Sequence, residues 1–276
     1  MPKNVLVTGG AGFIGSNFAP YFCKKYPDYL VINFDKLTYA GDLNNLEECD
    51  NVSNYVFVHG DICDASIVSN IFEKYDITDV IHFAAESHVD NSIANPRIFI
   101  ETNVLGTFTL LDAFRKKHGN SLHNRFHHIS TDEVYGTLGK MGYFTESTPY
   151  APNSPYSASK AGSDMLVRAY FHTYGVNTVI SNCSNNYGPK QYREKLIPTI
   201  IRCALAKKPI PIYGNGKNVR DWLYVVDHCK AIDLIFHQGK SGEVYNVGGS
   251  NELSNLQVAK KICKILDKKY PLKSGS

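Results

Sequence analysis

Short blocks of consecutive apolar residues punctuate this chain, and the stretches between them carry apolar residues at helical spacing. Val5-Leu6-Val7, Leu30-Val31-Ile32-Asn33-Phe34, Tyr55-Val56-Phe57-Val58, Asp79-Val80-Ile81-His82-Phe83, Phe126-His127-His128-Ile129-Ser130 and Thr178-Val179-Ile180-Ser181 predict six strands. Helices are predicted from about Phe13 to Lys25, from about Arg97 to His118, and over the segment holding Tyr156 and Lys160. Strands without polar alternation are covered on both faces, which predicts an α/β fold with a doubly wound, mostly parallel sheet. After about Asn182 the pattern loosens and Pro and Gly become frequent. Residues 1–183 are therefore expected to form one domain, with 219–247 returning to it, and residues 184–218 and 248–276 a smaller lobe. A strand over 242–247 and a helix from about Asn255 to Lys268 end the pattern.

The first strand runs into Thr8-Gly9-Gly10-Ala11-Gly12-Phe13-Ile14-Gly15, and a helix follows. Glycines at this spacing let the backbone turn tightly and approach a pyrophosphate, and the helix N-terminus supplies amide donors. Asp35 lies 20 residues past Gly15 at the end of the second strand. A carboxylate there accepts from ribose hydroxyls and repels a 2′-phosphate, which favours NAD over NADP; Lys36 softens that preference. Asp61 and Ile62 after the third strand, and Ala84-Ala85-Glu86-Ser87 after the fourth, fall at the same edge. Each is by itself more often just a loop, but together they predict a Rossmann-like dinucleotide site.

Tyr156 and Lys160 stand one helical turn apart, with Asn153, Ser154 and Pro155 before them as helix-start residues. A Lys cation at about 5 Å favours a phenolate by about 3 kcal/mol at an effective dielectric near 20. Tyr156 then becomes a base for a hydroxyl whose carbon gives up a hydride. Thr131, Asp132 and Glu133 follow the fifth strand directly. Two neighbouring carboxyls are usually a solvated turn. Beside a redox Tyr they have a use: a carboxylate removes the acidic hydrogen next to a new ketone, and a neutral carboxyl protonates a departing hydroxyl. Oxidation, water loss and reduction in one site is the predicted chemistry.

Composition narrows the alternatives. The 276 residues carry a net charge of +3 and no run of like charge, which argues against a nucleic-acid partner. Seven cysteines without CxxC spacing fit a reducing compartment, and a cytoplasmic location is expected. The chain enters its first strand without a leader, and no apolar run reaches the roughly 20 residues that span a bilayer, so no membrane partner is expected. His127-His128 lacks further ligands at a metal-site spacing and is expected to be structural, with no metal.

Together these residues resemble the extended short-chain dehydrogenase/reductase family, and within it the nucleotide-sugar 4,6-dehydratases. The resemblance rests on the glycine motif, Asp35 to Gly41, Ala84 to Asp90, Ser130 to Gly136, Tyr156 to Lys160, Asn182 to Pro189, Glu194 to Pro198 and Arg220 to Val225. It implies Tyr156 as base at the sugar C4 hydroxyl, Lys160 tuning it and holding the nicotinamide ribose, Thr131 on the C4 oxygen, Asp132 as acid at C6 and Glu133 as base at C5. It implies an NAD site of Gly9, Gly12, Phe13, Ile14, Gly15, Asp35, Lys36, Leu37, Thr38, Asp61, Ile62, Ala84, Ala85, Glu86, Ser87, Thr102, Tyr156, Lys160 and Asn186. It implies a sugar-nucleotide site of Ser87, Thr131, Asn185, Lys195, Leu196, Tyr213, Arg220 and Asn255, Arg220 suiting a diphosphate. A homodimer through helices near 97–118 and 156–174 is implied as well. The family's segment after the last helix, with an Asp-Arg-Pro triplet, is not matched by residues 271–276. dTDP-glucose, UDP-glucose and UDP-N-acetylglucosamine stay open as donors, as does inversion at C5. So do a 4-epimerase on the same fold and a non-catalytic NAD or sugar-nucleotide binding module.

Overall fold

The computed structural model describes residues 2–139, 142–212 and 214–270. Its strands are β1 (Asn4–Thr8), β2 (Leu30–Asp35), β3 (Tyr55–His59), β4 (Asp79–His82), β5 (Phe126–Thr131), β6 (Thr178–Cys183), β7 (Asn185–Tyr187), β8 (Val219–Tyr224), β9 (Val244–Val247) and β10 (Glu252–Ser254). Its α-helices are α1 (Phe13–Lys25), α2 (Ala65–Lys74), α3 (Val89–Ala94), α4 (Pro96–Phe99), α5 (Thr107–His118), α6 (Pro155–Tyr174), α7 (Leu196–Leu205), α8 (Val225–Gln238) and α9 (Asn255–Lys269). Seven strands pair in parallel in the order β3-β2-β1-β4-β5-β6-β9. The order reverses between β1 and β4, and ligands of such sheets bind beyond the strand ends at that reversal.

Both faces are covered, as unbroken apolar strands require. Leu6, Ile32 and Val80 pack against Val68 and Ile71 of α2, Leu110 and Phe114 of α5 and Val167 of α6. Val5, Val7, Val31 and Ile81 point the other way, onto Phe18 and Phe22 of α1 and Val225, Ile232 and Phe236 of α8. Each such buried side chain contributes roughly 2 kcal/mol.

A second sheet has the order β10-β8-β7, with β7 and β8 parallel and β10 and β8 antiparallel. Of the segment expected to return at 219–247, β8 lies in this small sheet, while α8 packs on the large one and β9 is its edge strand. Trp222 of β8, Ile200 of α7 and Val258 of α9 form a separate small core.

The helix expected from Arg97 to His118 is divided. A π-helical turn, Ile100–Gly106, separates α4 from α5. The Thr107 hydroxyl donates to the Asn103 carbonyl at 2.6 Å, and Gly106 passes so near Ile62 that a Cβ would sit 2.5 Å from its Cδ1. Such turns widen a helix locally and recur at functional sites. Among the described residues, no helix is long and apolar enough to cross a membrane.

Candidate active site

At the carboxyl end of β1 the chain makes the expected glycine turn. Gly9 has a φ of +71°, and a Cβ on it would lie 2.5 Å from the Ala84 backbone nitrogen. A Cβ on Gly15 would lie 2.4 Å from the Gly9 carbonyl. Side chains are excluded at both positions, which leaves a bare backbone cradle. Gly12 caps α1 without a side-chain bond, and the first turn carries no acidic residue. The contrast with α2, capped by Asp64, and α6, capped by a Ser154–Ser157 box, is chemical: α1 keeps its first amides for an outside anion. A dinucleotide pyrophosphate fits this cradle.

Asp35 stitches the cradle to β2. Its carboxylate accepts from the Ala11 and Leu37 amides, each at 2.8 Å. Lys36 pairs with Asp61 at 2.6 Å, a contact that holds the Asp61 carboxyl below its usual range against its burial. The loop after β4 is fixed by Asn103, whose side chain accepts from the Glu86 amide and donates to the Glu86 carbonyl and to Ser159 of α6. The π-helical turn thus carries a side chain that ties the cofactor edge to the helix of Tyr156. Burial pushes the Glu86 carboxyl up, and Lys36 only partly offsets it.

The other end of the same cleft holds the chemistry. β5 ends at Thr131, and a short 3₁₀ turn, Asp132–Tyr135, presents both carboxyls. Burial, then the neighbouring Glu133, pushes Asp132 up to about 7, although Arg220 pulls against them. Burial raises Glu133 too, while Arg220 and Lys195 draw it back. The adjacent acids are thereby separated, Asp132 being the one biased toward its neutral form.

Tyr156 is 9% exposed. Burial, then Glu133 and Cys183, holds its phenol well above the usual range, against a hydrogen bond with Thr131. The expected lowering by Lys160 is not met in this arrangement. The Lys160 ammonium donates to the Ile129 carbonyl at 2.9 Å and lies 3.3 Å from His128 Nε2. His127 and His128 are buried against Ser181 and Ser163.

Most expected residues converge on this one cleft. Gly9, Gly12, Phe13, Ile14, Gly15, Asp35, Lys36, Thr38, Asp61, Ile62, Ala84, Ala85, Glu86, Ser87, Thr102 and Asn186 line its long arm. Thr131, Asp132, Glu133, Tyr156, Lys160, Asn185 and Lys195 line it as well. Four lie outside that lining. Leu37 turns its side chain onto Ala11, Ala19, Leu46 and Cys49. Leu196 packs into the small core. Asn255 opens α9, and Arg220 is exposed but acts on both acids through its field. Tyr213 lies outside the described residues. Sequence reasoning missed Tyr39 and Tyr192, whose rings meet edge-on at 5.6 Å where two loops face each other across the cleft. It also missed Cys183 and Asn103; neither belongs to a spaced motif, and only the fold brings them here.

The family model described as GDP-mannose 4,6 dehydratase matches residues 6–274. The dTDP-glucose 4,6-dehydratase of Xanthomonas campestris pv. campestris (strain B100) is 53% identical over 276 residues, covering 98% of this chain and 78% of that protein. The crystal structure of dTDP-glucose 4,6-dehydratase from Bacillus anthracis in complex with NAD is 50% identical with a TM-score of 0.88, covering 96% of this chain and 81% of that one. The structure of UDP-glucose 4-epimerase from Thermotoga maritima with UDP-glucose superposes at a TM-score of 0.87 but is 29% identical, covering 98% and 84%. The fold is shared by both activities, so residues at the cleft have to separate them.

Proposed function

This chain belongs to the GDP-mannose 4,6-dehydratase family, and on that premise we propose that it removes water from a nucleotide-diphosphate hexose, dTDP-glucose first among the donors, to give the 4-keto-6-deoxy sugar. The observation that carries the reading is the meeting of Asp132, Glu133 and Tyr156 in one cleft, with Asp132 pushed to about 7. An epimerase has no need of a second acid poised to protonate a leaving hydroxyl.

NAD bound in the glycine cradle would supply the hydride acceptor for C4 and the hydride donor for C6. The chain's own residues do the proton work. Tyr156 takes the C4 hydroxyl proton, with Thr131 holding the oxygen. Glu133 removes the C5 proton once C4 is a carbonyl, Asp132, neutral, gives its proton to the departing C6 hydroxyl, and Glu133 returns a proton to C5 as C6 is reduced. Lys160 orients the ribose beside Tyr156. Arg220 and Lys195 face the diphosphate and oppose the burial that raises Glu133. We assign Asn185, Leu196 and Asn255 to the sugar-nucleotide end, held by the small lobe.

Two copies associate through the α4–α5 and α6 faces. Ile100, Leu105, Phe108 and Met165 are all more than 40% exposed there, an apolar surface that suits an isologous contact. Light scattering of the wild type is expected to give a dimer, and of Leu105→Glu with Phe108→Glu a monomer.

The function is tested by mass spectrometry of the protein with dTDP-glucose, UDP-glucose and UDP-N-acetylglucosamine in parallel. A product lighter by one water from one donor supports dehydration. Isomerised donor of unchanged mass makes the chain an epimerase, and tight binding without conversion makes it a binding module.

A further inference from the structure

A polar cluster that the proton steps above do not use is buried directly beneath Lys160. α6 places Tyr156, Lys160 and Asp164 at successive turns of one face, and Asp164 lies deepest, with 0% exposure. Ser130 of β5 and Tyr150 both donate to its Oδ2, at 2.9 and 3.0 Å. Its Oδ1 lies 3.2 Å from His128 Nε2. His128 is itself fully buried, sits 3.3 Å from the Lys160 ammonium, and is driven toward its neutral form by burial. Lys160 and Asp164 thus approach the same nitrogen, Nε2, of a neutral imidazole, all three out of water.

We propose that Asp164 is a positioning residue that keeps Lys160 charged and aimed along the cleft, with His128 as the spacer between them. An isolated ammonium in such a place loses its proton before it loses its hydration, because the charge has nowhere to be balanced. Among the groups facing Lys160 — His128 of β5, Cys183 of β6 and Asp164 of its own helix — the carboxylate is the one that carries negative charge near neutrality. Burial pulls Lys160 down to about 8 and Asp164 opposes that fall, while Cys183 stays a thiol, pushed up to about 12. His82 of β4, whose ring centroid lies 5.2 Å from that of His128, is likewise kept neutral by burial. Asp164 in turn faces Tyr150, Ser130, His128, Lys160 and, at longer range, Tyr135. Its two hydroxyl donors hold Oδ2, while Oδ1 accepts from no donor among the described residues and lies 3.2 Å from His128 Nε2.

This inference deepens the reading of Lys160 as the cation beside Tyr156 and rests on it, but its test is read on the protein without turnover. The Lys160 side chain is titrated by NMR on lysine-labelled protein, with Lys160→Met identifying its signal. Asp164→Asn keeps the shape and both hydroxyl contacts but removes the charge, and is expected to lower the Lys160 midpoint by about one pH unit or more. Tyr150→Phe removes a staple but not the charge, and should leave the midpoint within about 0.3 unit. An unmoved midpoint in Asp164→Asn, or an equal shift in Tyr150→Phe, overturns the proposal and makes Asp164 a structural clasp. Should Asp164→Asn not fold, the reciprocal measurement decides: in Lys160→Met the Asp164 carboxyl, near 6 beside the lysine, should titrate above 7. A carboxyl that stays at its original midpoint without Lys160 refutes the coupling.

Discussion

Asp233 is buried and Asp132 is half-buried, and their acidities move in opposite directions. Asp233 lies between α1 and α8, where Tyr21, Tyr26, Lys25 and His237 all donate to its carboxylate. Burial alone would raise it, but the four donors outweigh burial and hold it far below the usual carboxylate range. Asp132 has a weak contact with Thr131 and a second carboxyl beside it, and is pushed up to about 7. The same side chain is a clasp where donors saturate it and a proton carrier where they are withheld. Unsatisfied burial, and not burial itself, marks the reactive end of this molecule.

Substitutions at the two places should therefore separate activity from stability. The largest effect is expected from Asp132→Asn with Glu133→Gln, which should lower the rate of water loss by about a thousandfold or more while NAD binding persists. Dehydration at the normal rate would remove both carboxyls from the mechanism. Tyr156→Phe should reduce turnover by about a hundredfold through the first oxidation, read as lost substrate-dependent absorbance of reduced nicotinamide.

Asp233→Asn is expected to leave the turnover number unchanged and to destabilise the fold by about 2 kcal/mol at neutral pH, discounted because Lys25 is half exposed. The folded Asp233 is more acidic than the unfolded one. Its contribution is present above about pH 4 and fades as the pH falls toward its folded value. Urea denaturation at pH 7 and pH 3 checks both parts.

Asp132→Asn alone should shift stability by a similar amount, with the opposite sign. The folded carboxyl takes up a proton more readily than the unfolded one, so wild-type stability falls as the pH rises from about 4 through about 7. The variant escapes that loss, and should be more stable than wild type by about 1–3 kcal/mol at pH 8 and equal to it at pH 4. Equal stability at both pH values would mean that Asp132 is not perturbed.

Legibility in the sequence followed the same division. The large sheet was readable because Val5-Leu6-Val7 and its counterparts are apolar on both faces, which only a covered parallel sheet requires. Asp132, Glu133, Tyr156 and Lys160 were readable because adjacent residues and one helical turn are local relations. The Asp233 clasp was not, since Tyr21, Tyr26 and His237 meet it only after α1 packs on α8. Asn103 escaped for another reason: in a regular helix it would have no cause to turn inward, and the π-helical turn that turns it has no pattern in the apolar spacing. The placement of β8 in the small sheet escaped because its partners β7 and β10 are three-residue strands, too short to leave a periodic signal.

Turnover of dTDP-glucose in deuterated water, followed by mass spectrometry and NMR, bears most directly on the idea that two carboxyls set apart in acidity expel a hydroxyl. The expected product has lost one water and carries a single solvent deuterium at C5, and Glu133→Gln should form little of it. A product of unchanged mass, or a dehydrated sugar with no deuterium at C5, would contradict it.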